Sequence, residues 1–206
     1  MKVALALALA LGWSAIVAVG QEPASTTSPA PYQRIAVVEL DTALTADEIY
    51  QRAKRWFVDA FKDADEVIKL DDPSSHTIVG KGQWPYHASI FVMSAVRKGK
   101  MRFSIEVAAK ERHYRVRFYD YRHEGTFALP NSSGLDLGLI LDGKEHCTDA
   151  FNSGTFEFTP TKHTTRVCLE EVWPQIEVQE RLMLETLYAA MTRVSDTGDK
   201  RGTSDW

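Results

Sequence analysis

The stretch of sequence that decides the fold is MRFSIEVAAKERHYRVRFY, residues 101–119. Apolar and polar side chains alternate through 101–107 and again through 114–118. A period of two is typical of strands with one buried face, and the polar break near Lys110-Glu111 predicts a hairpin turn. The hairpin therefore predicts an antiparallel sheet that has one face on a core.

A helix is predicted before the hairpin. Thr45 and Glu48 have the spacing of a capping box, in which the Thr side chain and the Glu side chain bond each other's backbone N–H. Behind them apolar residues recur at helical spacing, which predicts a helix over 46–62. Pro174 is favoured at a first helical position and predicts a closing helix from there to about residue 194.

Further strands are predicted from β-branched and alternating segments. These strands span 34–40, 66–70, 77–84 and 87–96. A turn is predicted over 97–100, between the last of them and the hairpin. The order of strand, helix, four or five antiparallel strands and helix predicts an α+β fold with both helices on one face of the sheet. Residues 126–173 are predicted to be an insertion packed against the main sheet, with a short strand at 155–159.

The first twenty residues have the pattern of a secretory signal peptide. Lys2 precedes the apolar run 3–19, and Ala18-Val19-Gly20 supplies the small residues of a cleavage site before Gln21. The apolar run is near the lower length limit for a membrane span, so an uncleaved anchor remains an alternative. After cleavage no stable membrane span is expected, and the protein is predicted to be periplasmic or secreted.

The mature chain divides into three parts. Residues 21–32 are rich in Pro, Ser and Thr and predict a flexible linker, residues 33–194 predict a single domain, and residues 195–206 predict a disordered tail. Removing residues 1–20 removes one basic residue, which leaves 23 basic and 28 acidic side chains and a formal charge of −5. A net-acidic chain lacks the basic surface expected of nucleic-acid-binding proteins.

Several segments together resemble a bacterial family of exported domains of unknown function with a TBP-like fold, named after the TATA-binding protein. The segments are AKRWF at 53–57, VIKLDD at 67–72, IVGKG at 78–82, the hairpin residues 110–118 and HEG at 123–125. The resemblance implies a β-α-β(4)-α fold and an exported location, and it implies no activity. Members often have Gly in the hairpin turn where this chain has Arg112. The insertion is a second departure.

The two cysteines of the chain, Cys147 and Cys168, are predicted to form a disulfide in an oxidising compartment. Closing this loop would stabilise the fold by about 3 kcal/mol in the chain-entropy model. A zinc site using His146, Cys147, His163 and Cys168 is an alternative, but its spacing lacks the paired ligands typical of zinc motifs. Free thiols are the remaining alternative. No metal or cofactor is expected.

The outward face of the sheet is the predicted binding surface. It is predicted to present Arg102, Glu106, Arg115, Arg117, Tyr119 and Tyr121. Arginine and tyrosine are enriched where proteins recognise partners. The alternative is a solvated face on which cross-strand Arg–Glu pairs satisfy each other.

Two classes of function follow from the sequence. The preferred hypothesis is a non-enzymatic binding or structural module of the cell envelope that recognises a protein, peptide or glycan. The alternative is an exported hydrolase whose site forms only in the fold, for example from Glu106 with His113 or His123. A pocket in which a carboxylate and a histidine lie within hydrogen-bond reach would favour the enzyme.

Overall fold

The computed structural model of the protein describes residues 30–61, 67–89, 98–125, 137–142, 151–152, 157–158 and 166–193. The predicted signal peptide, most of the predicted linker and the predicted tail lie outside these residues. Within the described ranges, no helix has the length and apolar character needed to cross a membrane.

The described residues form strands and helices in the order expected from the sequence. The strands are β1 Gln33–Glu39, β2 Ile68–Asp72, β3 Thr77–His87, β4 Lys98–Lys110, β5 His113–Gly125, β6 Gly138–Leu139, β7 Phe151–Asn152 and β8 Glu157–Phe158. The helices are α1 Ala46–Phe61, a π-helix Cys168–Val172 and α2 Trp173–Thr192.

The main sheet is antiparallel, with the strand order β1-β5-β4-β3-β2 and with β6 paired to the far end of β5. Strands β7 and β8 pair with each other in a separate two-stranded sheet. Buried side chains of α1, of α2 and of strands β3 to β5 form one hydrophobic core. The predicted α+β class and β-α-β(4)-α order are confirmed.

Helix α1 begins with the predicted capping box. The carboxylate of Glu48 accepts hydrogen bonds from the Thr45 N–H (2.8 Å) and hydroxyl (2.9 Å), and the Glu48 N–H donates to Thr45 Oγ1 (3.2 Å). The helix lies very close to the sheet at Gly80, where an added Cβ would come 2.5 Å from the ring of Phe57. Glycine at this position therefore sets the distance between α1 and β3.

The predicted hairpin is confirmed, and its turn occupies residues 111–112. Arg112 has a positive φ of 64°, a backbone conformation that glycine adopts without steric cost. The Arg112 N–H donates to Leu44 O (3.0 Å) and its carbonyl accepts from the Leu40 N–H (2.8 Å), so the turn anchors the loop before α1.

A β-bulge in β5 overturns the predicted position of Tyr121. Asp120 and Tyr121 lie opposite Phe103 alone, and Asp120 has a φ of 55°. The extra residue shifts the alternation of side chains by one position. Tyr121 therefore points into the core, where it is fully buried, instead of onto the outer face.

The predicted turn over 97–100 is also wrong. Lys98, Gly99 and Lys100 belong to β4, and Gly99 pairs with Tyr86 because β3 is longer than expected. An added Cβ at Gly99 would lie 2.2 Å from Glu124 O. The glycine thus marks a close approach of two strands, not a chain reversal. Of the predicted strand over 87–96, residues 90–96 lie outside the described part.

The closing helical segment begins earlier than Pro174. Helical structure starts at Arg166 and passes through the π-helix, in which the Trp173 N–H donates to Cys168 O. Pro174 lies in the first turn of α2. Because helical turns precede it, its missing N–H leaves a carbonyl of the preceding turn without a helical donor. The π-helical turn has no capping residue of the kind that marks a helix start, because its N-cap Val167 makes no side-chain hydrogen bond. The sequence therefore did not indicate this turn.

Parts of the predicted insertion are described. Leu137, Ile140 and Leu141 are buried, and β6 pairs with β5, so this part packs against the main sheet. Strand β8 falls within the predicted strand 155–159. The rest of the insertion, including Cys147, lies outside the described residues.

Candidate functional site

Five of the six side chains predicted to form a binding surface lie on the outer face of the sheet. They are Arg102, Glu106, Arg115, Arg117 and Tyr119. Other side chains of the same sheet form ion pairs and hydrogen bonds with several of them. Arg102 forms an ion pair with Glu124 (2.9 Å), and both side chains are about half exposed.

The centre of this face is paired across strands. Arg115 donates to Glu106 Oε1 (2.7 Å), while Arg117 donates to Gln33 Oε1 (3.0 Å) and lies 4.5 Å over the ring centroid of Tyr119. Exposed pairs of this kind contribute about 0–1 kcal/mol to stability. A ligand would have to compete with these contacts, and a binding role for this face stays a prediction.

Tyr121 instead belongs to a buried cluster around Glu180, a fully buried carboxylate of α2. The Tyr121 hydroxyl donates to Glu180 Oε1 (2.7 Å). The Tyr32 hydroxyl (3.2 Å) and Arg34 Nη1 (3.1 Å) donate to Glu180 Oε2. This cluster joins α2 to β5 and to the start of β1.

Burial raises the pKa of Glu180 above its usual range, although the bonds from Tyr121, Arg34 and Tyr32 favour the carboxylate. Burial and the nearby carboxylate likewise raise the pKa of Tyr121. One sequence signal could have identified the cluster. Glu180 lies four residues after Ile176 and seven before Leu187, so a charged residue interrupts the buried stripe of α2.

A second buried polar group is His123. The Leu137 N–H donates to its Nδ1 (3.0 Å), which places the ring proton of the neutral form on Nε2. The ring contacts Tyr86 at a centroid distance of 4.7 Å. Among the described residues, neither His123 Nε2 nor the Tyr86 hydroxyl has a hydrogen-bond partner. Burial lowers the pKa of His123 to about 4.

The residues suggested for a hydrolase do not converge. Glu106 lies on the outer face and pairs with Arg115, whereas His123 is buried on the helix side of the sheet. His113 lies four residues along β5 from Arg117, the residue opposite Glu106, which corresponds to about 13 Å along a strand. The named carboxylate and histidines thus form no acid–base pair.

A large groove with a volume of about 990 Å³ lies between α1 and α2. We call it the interhelical groove. Its apolar lining comes from Trp56 and Phe61 of α1, Trp84 of β3, Phe103 of β4, and Leu182, Met183 and Ala190 of α2. The volume is at the upper end of the ~300–1,000 Å³ usual for ligand sites.

The apolar side chains of the groove wall differ in their exposure. Trp56 and Phe103 are only 3% and 4% exposed, so their ring faces are covered, while Leu182 is 46% exposed. Trp84 is half-buried, and its indole N–H has no acceptor among the described residues. The indole nitrogen is itself buried, so the wall that the groove presents is mainly apolar.

One end of the groove is closed by contacts between the helices. The Trp56 indole N–H donates to Thr186 Oγ1 (3.1 Å), and Arg52 donates to the backbone carbonyls of Met191 and Arg193 (2.9 Å to Arg193). These bonds fix the separation of α1 and α2, and the groove between them is a preformed feature of the fold.

Charged groups of both signs surround the groove in equal number. The acidic members are Asp47, Glu48 and Asp59, and the basic members are Arg52, Arg55 and Arg193. A balanced set does not favour a highly charged ligand such as a nucleic acid.

The structure offers no metal centre within its described part, where no three His, Cys, Asp or Glu side chains are grouped to hold an ion. Three members of the alternative zinc site, His146, Cys147 and His163, lie outside the described residues. Cys168 is buried at the start of the π-helix. Pairing of Cys168 with Cys147 stays a prediction.

Comparison with known families supports the resemblance noted in the sequence. Residues 36–124, which contain α1 and most of β1–β5, match the family described as "Domain of unknown function (DUF4468) with TBP-like fold". The predicted resemblance to a bacterial family of this kind is confirmed. No curated protein matches the chain.

One solved structure supports the same fold, and a second is reported beside it. A TBP-like protein from Parabacteroides distasonis ATCC 8503 aligns with a TM-score of 0.50 and 9% identity, over 76% of this chain and 92% of that one. A DUF4468 family protein from Bacteroides ovatus ATCC 8483 aligns with a TM-score of 0.48 and 16% identity, over 80% and 90% of the two chains. At such low identity the likeness to the first concerns the fold alone.

Proposed function

We propose that the protein is a non-enzymatic binding module of the bacterial cell envelope and that the interhelical groove is its binding site. The observation that carries this proposal is the preformed groove of about 990 Å³, apolar on its walls and polar at its rim. Sites of this shape bury apolar groups of a ligand and orient it by a few polar contacts. The concavity lined by Val37, Lys110 and Arg115 on the outer face of the sheet is smaller, with a volume of about 210 Å³.

The shape and chemistry of the groove favour an amphipathic helix of a partner protein as the ligand. A glycan would need exposed aromatic faces for stacking, but the rings of Trp56 and Phe103 are covered and Phe61 and Trp84 are only partly exposed. An extended peptide would bury backbone N–H and C=O groups, which need partners. The two walls are helices whose backbone groups are bonded internally, so a ligand that satisfies its own backbone fits best.

The groove also restricts the sequence of that helix. Leu182 and Met183 would contact apolar side chains spaced three or four residues apart.

A hydrolytic site is less well supported than a binding site. The described lining of the groove includes three carboxylates and no histidine. Because Glu106, His113 and His123 do not meet, no acid–base pair of the kind considered from the sequence forms in the described residues.

The envelope location and the disulfide rest on the sequence, and one experiment tests both. We expect mass spectrometry of protein recovered from its native compartment to give an N-terminus near Gln21 and a Cys147–Cys168 cross-link without bound metal. An intact N-terminus in the membrane fraction would contradict export as a cleaved protein. Two alkylatable thiols would contradict the disulfide.

The binding site is tested by capture of partners from envelope extract with groove and sheet-face variants. Leu182→Glu places a charge on the apolar wall at an exposed position, so it should leave the fold intact and reduce capture at least tenfold, a loss of about 1.4 kcal/mol. The matched control is Arg115→Ala/Arg117→Ala, which alters only the outer face. Loss of the partner with the control but not with Leu182→Glu would move the site to the sheet face.

A further inference from the structure

We propose that β1 pairs edge to edge with β1 of a second copy, so that two main sheets join into one antiparallel sheet. Strand β1 is at the end of the strand order, and β5 is the strand that pairs with it in the main sheet. The seven residue pairs between β1 and β5 follow in unbroken register, without a bulge. In the described part of the chain no strand pairs with the other edge of Gln33–Glu39.

The unpaired edge has the hydrogen-bonding groups that an added strand needs. The Leu40 N–H donates to Arg112 O on the β5 side. Backbone groups of alternate residues point to opposite edges of a strand, so those of Gln33, Ile35, Val37 and Glu39 point to the free edge. An antiparallel pair across this edge would form about eight backbone hydrogen bonds.

The side chains of β1 carry little protection against such pairing. Ile35 is 54% exposed and Val37 is 63% exposed, the highest values among the large exposed hydrophobic residues. Both point to the outer face of the same strand. Edges that must stay single usually carry a proline, a bulge or a central charge, and residues 35–38 have none of these.

The charged residues of β1 favour a second copy of β1 as the partner strand, and they favour one register of the pair. With the two-fold axis at Ala36, Ile35 lies opposite the partner's Val37 and Gln33 lies opposite the partner's Glu39, where an amide can bond a carboxylate. Shifts that bring Glu39 opposite the partner's Glu39, or Arg34 opposite the partner's Arg34, are opposed by like-charge repulsion. This closed, isologous arrangement is the usual symmetry of homodimers.

The dimer is expected to depend on concentration. A single pair of seven-residue strands buries less than the ~1,200 Å² at the lower end of stable interfaces. Sedimentation of the purified protein should therefore show a mass that rises from that of one chain toward about twice that value as concentration increases.

The test compares charged variants on the two edges of the main sheet. Ile35→Lys/Val37→Lys places like charges directly across the proposed interface and should leave a monomer at every concentration. Leu70→Lys, on the exposed edge strand β2, is the matched control and should dimerise like the unaltered protein. A monomeric unaltered protein, or a dimer that survives the double substitution, would overturn the proposal.

Oxidative cross-linking tests the register. Ala36→Cys places two thiols at a pair whose Cα atoms are about 4.5–5.5 Å apart, within disulfide reach. It should give a covalent dimer joined through residue 36, identified by peptide mass spectrometry. Val38→Cys lies opposite the partner's Arg34 and should not. Equal cross-linking of both variants, or pairing of β1 with a strand of a different protein, would contradict the proposal.

Discussion

Glu180→Ala is expected to lower the free energy of unfolding by about 1–3 kcal/mol, the cost of leaving a buried hydrogen-bonding group without its partner. Glu180 is fully buried and accepts bonds from Tyr121, Tyr32 and Arg34. The substitution leaves the buried Tyr121 hydroxyl without its acceptor and opens a cavity between α2 and β5. Denaturant unfolding followed by circular dichroism measures the loss.

Two further variants separate the role of the cluster from a general effect of helix substitution. Glu180→Gln keeps the shape and an acceptor oxygen, so it should retain most of the stability. Glu177→Ala changes an exposed position one turn away and should alter stability by less than about 0.5 kcal/mol. If Glu180→Ala behaves like Glu177→Ala, the cluster does not hold α2 to the sheet.

The stability of the protein is expected to fall between pH 6.5 and about pH 4 because of His123. Its pKa is about 4 in the folded protein and 6.5 in the reference state. A lowered folded pKa means that the unfolded state binds the proton first, so this stability is present above pH 6.5 and lost as the pH falls. The shift corresponds to about 3 kcal/mol.

The contribution of His123 is isolated by comparing pH profiles of stability. His123→Asn offers an acceptor to the Leu137 N–H without titrating, so its profile should be flatter than that of the unaltered protein by about 3 kcal/mol over this range. Carboxylates that titrate over the same pH range are the same in both proteins and cancel in the difference. His87→Asn removes an exposed histidine and is the control. If the stability of His123→Asn and of the unaltered protein depended on pH in the same way, His123 would not be a buried histidine that is held in its neutral form.

Local patterns predicted the fold because each is set by a short-range rule. The capping box at Thr45 and the alternation in the hairpin each need only a few neighbouring residues, and both are confirmed. The predictions were wrong where a contact with a residue distant in sequence determines the local structure. The bulge at Asp120 turns Tyr121 inward, and the approach of Gly99 to Glu124 made a strand residue look like part of a turn.

The candidate site was harder to predict than the fold. The interhelical groove is formed by residues of α1, β3, β4 and α2 that are far apart in sequence, and no local pattern indicates how far two helices are separated. The residues of the outer face could be predicted from the sequence, because apolar and polar side chains alternate along the strands. Which arginines would pair with Glu106, Glu124 and Gln33 depended on strand register, which the sequence did not provide.

Photo-cross-linking from inside the groove tests the central claim most directly. A benzophenone amino acid at position 182 or at position 102, in protein expressed in its own envelope, compares the groove with the sheet face. We expect position 182 to cross-link one partner through an amphipathic helical segment and position 102 to give no such product. Cross-linking of that partner from position 102 alone would contradict binding in the interhelical groove.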